Sequence, residues 1–165
     1  MEINPNLKFV KLIIGLGNPG KEYEKTRHNS GFLFIDYLNS QLSKKSPVKI
    51  PTEAKTLKSD VFMNASGNFA AKTLKKTGLK PENILIAHDD SDIELGKCKI
   101  SFGRGAAGHK GVESIIKSLK TKNFWRLRIG IRPPKSKQKA EEFVLKKFNK
   151  KELADLNKIF EEISE

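Results

Sequence analysis

The stretch 15-GLGNPGKEYEKTRHNSG-31 decides how this chain is read. Its first six residues are a literal G-x-G-x-x-G, and Gly15 to Lys21 also fits G-x-x-x-x-G-K. A dinucleotide-binding loop needs a helix to start at the third glycine, because the pyrophosphate rests on that helix N-terminus. Here Gly20 is followed by KEYEKTRHNSG, which has no apolar periodicity. The acidic residue expected about 20 positions on is missing, since Asp36, the nearest, lies inside a predicted helix. A P-loop needs Ser or Thr after its lysine to hold magnesium, and this chain has Glu22, whose charge repels phosphate. The glycines then serve to turn the chain sharply at a strand end. That does not account for Asn18, Tyr23, Arg27, His28 and Asn29 crowded into one loop. A histidine among asparagines suits a general base in a polar pocket.

Working outward, KLIIGL (11–16) and NILIAH (83–88) are short apolar runs that read as buried strands. KCKISF (97–102) alternates and is predicted as a half-exposed strand. WRLRIGI (125–131) alternates cleanly, with Trp125, Leu127, Ile129 and Ile131 on one face and Arg126 and Arg128 on the other. Those arginines either solvate the outer strand face or contact a polyanion. SGFLFIDYLNSQL repeats apolar residues at Phe32, Ile35, Leu38 and Leu42, which predicts a helix. Another is expected over ASGNFAAKTLKKTG, with Ser66 as N-cap and Gly78 as stop. HKGVESIIKSLK should turn Val112, Ile115, Ile116 and Leu119 inward. Two more helices are expected at 138–148 and 150–163. Residues 43–58 read as a polar connection, DVFMN as a strand end and DDSDIELG as a turn. The expected fold is α/β: a single domain over residues 1–165 with a mixed twisted β-sheet flanked by helices on both faces.

Composition limits the function. The chain has 165 residues, enough for one substantial core. No apolar run reaches the roughly 20 residues that span a bilayer. The N-terminus lacks the apolar segment of a secretion signal, so a cytoplasmic protein is expected. Cys98 is the sole cysteine, which excludes an internal disulfide and a cysteine zinc cluster, and its alternation with Lys97 and Lys99 predicts a core position. The net charge is +13, and residues 96–139 carry 13 Lys/Arg against one acid, Glu113. So concentrated a basic segment attracts a polyanion, nucleic acid above all. DDSDIE has the look of a calcium loop but puts Leu95 where an EF-hand requires glycine. No G-x-S-x-G elbow is present, which favours direct attack by water over a serine nucleophile. His88 ends an apolar strand and is read as structural.

Taken together, KLIIGLGNPGKEYEKTRHNSGFLFID, VFMNASG, ILIAHDDSDIELGK, GAAGHKGVESI and FWRLRIGIRPP occur in the order found in bacterial peptidyl-tRNA hydrolase, and the chain resembles that family over most of its length. The resemblance implies one mixed-sheet α/β domain that cleaves the ester joining a peptide to the 3′ end of tRNA. It implies His28 of RHN as catalytic base, Asp89 of HDD as the acid orienting it, and Asn18 and Asn64 as the groups holding the peptide and the reacting ester. Tyr23 and Met63 would line the cleft, with Asn29 beside them. His109, Lys99 and Arg104 would face the tRNA. Neither cofactor nor metal is implied, and the expected state is a monomer acting on the acceptor stem and 3′ end of peptidyl-tRNA, away from membranes. Two departures stand out. The family usually has Asn after the histidine of GHNG; this chain has Lys110, which cannot accept a hydrogen bond and could instead stabilise an oxyanion or grip a phosphate. The segment between FID and FMN is also shorter than is typical of the family, from which the loss of a hairpin near the rim is expected. Two rival readings remain open at this level: an RNA-binding protein on the same fold that has lost hydrolysis, and a nucleotide-dependent enzyme.

Overall fold

Leu12–Gly15 forms β1, every residue of it buried. In the computed structural model, which describes residues 5–42 and 53–164, β1 lies between two parallel neighbours, β2 (Lys55–Lys58) and β3 (Ile84–Glu94). The sheet has five strands in the order β2-β1-β3-β5-β4, where β4 is Cys98–Phe102 and β5 is Trp125–Arg132. β5 runs parallel to β3, and β4 runs antiparallel to β5 at the edge. Four α-helices flank it: α1 (Ser30–Leu42), α2 (Ser66–Thr77), α3 (Lys110–Leu119) and α4 (Lys150–Ser164).

Each face of the sheet has its own core. On one side Phe34, Ile35 and Leu38 of α1 and Leu156, Phe160 and Ile163 of α4 pack with Leu85, Leu127 and Ile129. On the other, Ala70 and Leu74 of α2 and Val112 and Ile115 of α3 cover Ile14, Ile84 and Ile86. The mixed sheet with helices on both faces is thus the expected one. The continuous apolar runs at β1 and the start of β3 are buried on both sides because the sheet is covered on both faces.

Several local expectations are corrected. Lys55–Lys58, read as connection, is the edge strand β2; its polar side chains fit an exposed edge. Residues 43–52 lie outside the described residues. DVFMN is no strand: Met63–Ala65 is a 3₁₀ turn leading into α2. Ser66 is the first helical residue rather than the N-cap, and its hydroxyl donates to the Met63 carbonyl at 2.7 Å. The acidic run Asp89–Glu94 continues β3 instead of turning. Residues 138–148 hold only a 3₁₀ turn at Ala140–Glu142, and the chain then runs alongside the His28 loop, with His28 N–H donating to Val144 O at 2.8 Å. Arg126 and Arg128 are not on a solvated face. Both are buried, Arg126 donating to Gly105 O at 2.8 Å and Arg128 to Asp90 Oδ2 at 2.7 Å.

The glycines of the opening stretch have a different use from a phosphate cradle. A Cβ on Gly15 would collide with the Gly31 carbonyl oxygen, and one on Gly31 with the Ala87 carbonyl oxygen. The pair lets the start of α1 lie directly on the ends of β1 and β3. That contact sets His28, three residues before Gly31, over the end of β3.

Candidate active site

Three connections beyond the strand ends, together with β3 itself, build the site. In the loop after β1, the Asn18 N–H donates to Asn29 Oδ1 at 2.8 Å and the Asn29 amide donates back to Asn18 O at 2.9 Å. This reciprocal clamp closes the loop into a rigid ring of backbone. It uses both functional atoms of the buried Asn29, so Asn29 holds the loop together rather than presenting its side chain to the cleft. Between the clamped residues a 3₁₀ turn, Arg27–Asn29, runs straight into α1. Arg27 anchors it from outside, pairing with Glu152 of α4 at 3.0 Å and lying over the Phe148 ring.

His28 is thereby aimed at β3. Its Nδ1 lies 2.8 Å from Asp89 Oδ2. The other carboxylate oxygen, Oδ1, lies 2.8 Å from His109 Nε2. His109 caps α3, its Nδ1 accepting from the Val112 N–H at 3.2 Å. An acceptor Nδ1 puts the hydrogen of a neutral imidazole on Nε2, pointed at Asp89. Asp89 is 2% exposed. Burial alone would raise its pKa, but the two imidazoles hold the carboxyl far below the usual carboxylate range. Burial opposes protonation of His28; the charge of Asp89 and its hydrogen bond outweigh that and hold His28 above the ordinary imidazole value. His88, next along β3, is different. It is fully buried, its Nδ1 donates to Asp89 O at 2.7 Å, and burial with the nearby His109 and Arg126 pushes it down to about 3. It is neutral and structural, as its place in the strand suggests. Cys98 packs in the core, and burial, with Glu162 beyond, raises its thiol to about 11.

Opposite His28, Asn18 Oδ1 accepts the Met63 N–H at 2.8 Å. With its oxygen bound to the Met63 N–H, the Asn18 side chain has its NH₂ as the donor for a ligand. Asn64 follows Met63 on the 3₁₀ turn and is exposed. Asn18, His28, Met63 and Asn64 line a cavity of about 620 Å³ with Phe62, Lys110, Glu141, Val144 and Leu145. A second cavity of about 420 Å³ opens beyond His28 and is lined by Asp89, Asp90, His109 and Lys139 among others. His28, Lys110, Glu141 and Val144 belong to both. Lys110 is exposed at this junction, 3.6 Å from Glu113. Tyr23 stands outside these linings and meets Phe62 edge-on, with ring centres 6.1 Å apart. Lys99 and Arg104 are exposed on β4 and the loop after it and line neither cavity. Glu141, Val144 and Leu145 were not foreseen, because their segment reads as helix; Phe62 carried no signal beyond its place before Met63.

Among the described residues, His28, Asp89 and His109 form one group with ligand atoms within 4.8 Å of one another. Its hydrogen-bond pattern disfavours an ion. Ligation through His109 Nε2 would move the imidazole hydrogen to Nδ1, against the Val112 N–H. The group is better described as a carboxylate held by two imidazole donors, one of which faces a cleft across from two carboxamides. That is the equipment of a hydrolase that activates water at an acyl centre.

Comparison with known proteins agrees with this class. The family model described as peptidyl-tRNA hydrolase matches residues 12–165. A peptidyl-tRNA hydrolase of Aquifex aeolicus is 42% identical over 154 residues, covering 87% of this chain and 80% of that protein. One from Mycobacterium tuberculosis is 36% identical, covering 93% and 87%. The crystal structure of peptidyl-tRNA hydrolase from Acinetobacter baumannii superposes with a TM-score of 0.77 at 34% identity, over 93% of this chain and 84% of that one. The chain belongs to the peptidyl-tRNA hydrolase family.

Proposed function

We propose that this protein hydrolyses the ester bond between a peptide, or an N-blocked amino acid, and the 3′ end of tRNA, with His28 as general base. The observation that carries the reading is the 2.8 Å pair of His28 Nδ1 and Asp89 Oδ2, facing Asn18 and Asn64 across one cleft. Asp89 keeps the hydrogen of neutral His28 on Nδ1, which leaves Nε2 free to take a proton from water. The hydroxide attacks the ester carbonyl carbon. The NH₂ groups of Asn18 and Asn64 donate to the oxygen as it becomes negative. When the C–O ester bond breaks, the ribose oxygen leaves with the proton now on His28 Nε2. Free tRNA and a carboxylic acid result, and His28 is neutral again.

Carboxamides also bind peptide backbone without a charge of their own, which suits a substrate of no fixed sequence. The apolar side chains of Phe62, Met63, Val144 and Leu145 give the peptide a surface to lie on. His109 serves by holding Asp89, and Lys99, Lys110 and Arg104, all exposed, are the cations assigned here to tRNA phosphates. The chemistry uses no metal, and the protein works as a monomer in the cytoplasm.

The test of substrate class compares N-acetylated with unblocked aminoacyl-tRNA. Release of the acetylated amino acid with the unblocked ester spared is expected. Binding of tRNA with no release from either would favour the RNA-binding reading instead.

A further inference from the structure

Ser114, on the second turn of α3, makes two hydrogen bonds to the opposite wall of the cleft. Its hydroxyl donates to the Asn64 carbonyl at 2.9 Å and accepts the Gly67 N–H at 2.8 Å. Gly67 lies in the first turn of α2, where backbone N–H groups have no intrahelical partner. One side chain thus satisfies a free donor of α2 and fixes the backbone of Asn64, two residues before that helix. The approach is close enough that a Cβ on Gly67 would collide with the Ser114 carbonyl oxygen, so the two helices pack backbone to backbone at this point.

The bond closes a circuit. From His28 it runs to Asp89, to His109, along the first turns of α3 to Ser114, across to Asn64 and Met63, then to Asn18, Asn29 and back to His28. Without Ser114 the circuit is open between α3 and the Met63–Ala65 turn. Asn64 is exposed, and among the described residues Ser114 is the group that holds its backbone carbonyl, whereas Asn18 is fixed by three hydrogen bonds. Asn64 is therefore the member of the site most dependent on outside support.

We infer that Ser114 is a positioning residue for hydrolysis: through its bonds to Asn64 O and Gly67 N it fixes the height of the Asn64 carboxamide relative to His28. The inference rests on the oxyanion role given to Asn64 above. A misplacement of the order of 1 Å in a reacting group costs up to about 10²-fold, and removal of one hydroxyl should cost roughly a tenth of that range, about 10-fold in kcat. Substrate affinity comes mainly from phosphate contacts and should be nearly unchanged.

The experiment measures kcat, KM and the pH profile on N-acetylated aminoacyl-tRNA for Ser114→Ala, Asn64→Ala and the double variant. Thr73→Ala is the control: its hydroxyl donates to Phe69 O within α2, away from the cleft. The expected result is a kcat loss of about 10-fold in Ser114→Ala with KM and the His28 pH midpoint held, no such loss in Thr73→Ala, and almost no further loss when Ser114→Ala is added to Asn64→Ala. Should Ser114→Ala be too unstable to assay, Ser114→Thr keeps the hydroxyl and should keep most of kcat; loss of kcat there in a folded protein overturns the inference. So does full activity of Ser114→Ala, or an undiminished effect in the double variant. Full activity of Asn64→Ala overturns the oxyanion role itself, and the inference with it.

Discussion

His109 Nε2 sits 2.8 Å from the one oxygen of Asp89 that His28 leaves free. The carboxylate is thus shared by two imidazoles, and only the one from His28 borders both cavities together with Lys110. His109 is fixed at its other nitrogen by the α3 backbone. It acts as a rigid support that keeps Asp89 from rotating away from His28. The resemblance implies a tRNA-facing His109; in the structure its Nε2 is committed to Asp89 while its ring borders the second cavity.

The pH dependence of hydrolysis follows from this pair. His28 must be neutral to take a proton from water, and Asp89 holds its pKa above the ordinary 6.5. The rate should therefore rise with pH through a midpoint above 6.5 and be lost as pH falls below it. In Asp89→Asn the raising charge is gone and burial, which lowers the value, remains, so the midpoint of any residual activity should move below 6.5. The amide can also donate to Nδ1 and force the hydrogen onto Nε2, so the rate itself should fall by roughly 10²–10⁴. Steady-state kcat/KM across pH 5–9 measures both effects; an unmoved midpoint would show that Asp89 does not govern His28.

Asn18 is asked to do two things, and they can be separated. Its oxygen holds the Met63 N–H, and its NH₂ is the proposed donor to the reacting oxygen. Asn18→Asp keeps the oxygen and removes the donor. The variant should keep its melting temperature to within a few degrees and lose about 10²–10³ in kcat, the usual cost of one oxyanion donor. A large loss of stability with little loss of kcat per folded molecule would show that Asn18 is only a strut.

The support beneath His28 is testable as stability. Arg27 pairs with Glu152 at 3.0 Å, and Glu152 also accepts the Asn149 N–H while Asn149 Oδ1 accepts the Glu152 N–H. This is a capping box at the start of α4 extended by a buried arginine. Glu152→Ala should cost about 2 kcal/mol, a drop in Tm of roughly 4–8 °C. Differential scanning calorimetry measures it; a change under one degree would mean the pair contributes nothing net, as many exposed pairs do.

The exposed cations should show as salt dependence. Each duplex phosphate neutralised lowers log Kd-derived affinity by roughly 0.9 per log unit of salt. Lys99→Ala and Arg104→Ala should each weaken tRNA binding and reduce that slope by about one contact, with kcat at saturation unchanged. An unchanged slope in both would place the tRNA elsewhere. Arg126 and Arg128 should not behave this way, since their guanidinium groups are committed to Gly105 O and Asp90 inside the protein.

Much of this was legible in the sequence, for identifiable reasons. β1, β3 and β5 are apolar runs ended by glycine or charge, and α1, α2 and α3 carry a clear 3.6 period, so the sheet and its two layers could be read directly. His28 and Asn18 stood out because polar residues crowd into the loop after β1, while the roles of Asp89 and Asn64 came from the family resemblance. What was not legible depended on distant partners. Lys55–Lys58 is a strand only because β1 offers it an edge. The 138–148 segment has helical spacing, but its backbone is taken up by the His28 loop. Asn29 and Asn18 are the same residue type in one loop, and only the reciprocal hydrogen bonds tell the clamp from the donor. The arginines of β5 alternate like a wetted face and are buried because Asp90 and the loop at Gly105 close over them. Ser114 had no signal at all, because its partners are 47 and 50 residues away.

The central claim is that His28 activates water, and the most direct measurement is the single-turnover rate of N-acetylated aminoacyl-tRNA hydrolysis by the pure protein and by His28→Ala, each with EDTA present and absent. Hydrolysis by the wild-type protein that EDTA does not reduce is expected, with a fall of roughly 10²–10⁴ in His28→Ala and tRNA still bound. A His28→Ala protein within tenfold of wild type, or a wild-type rate abolished by EDTA, would contradict it.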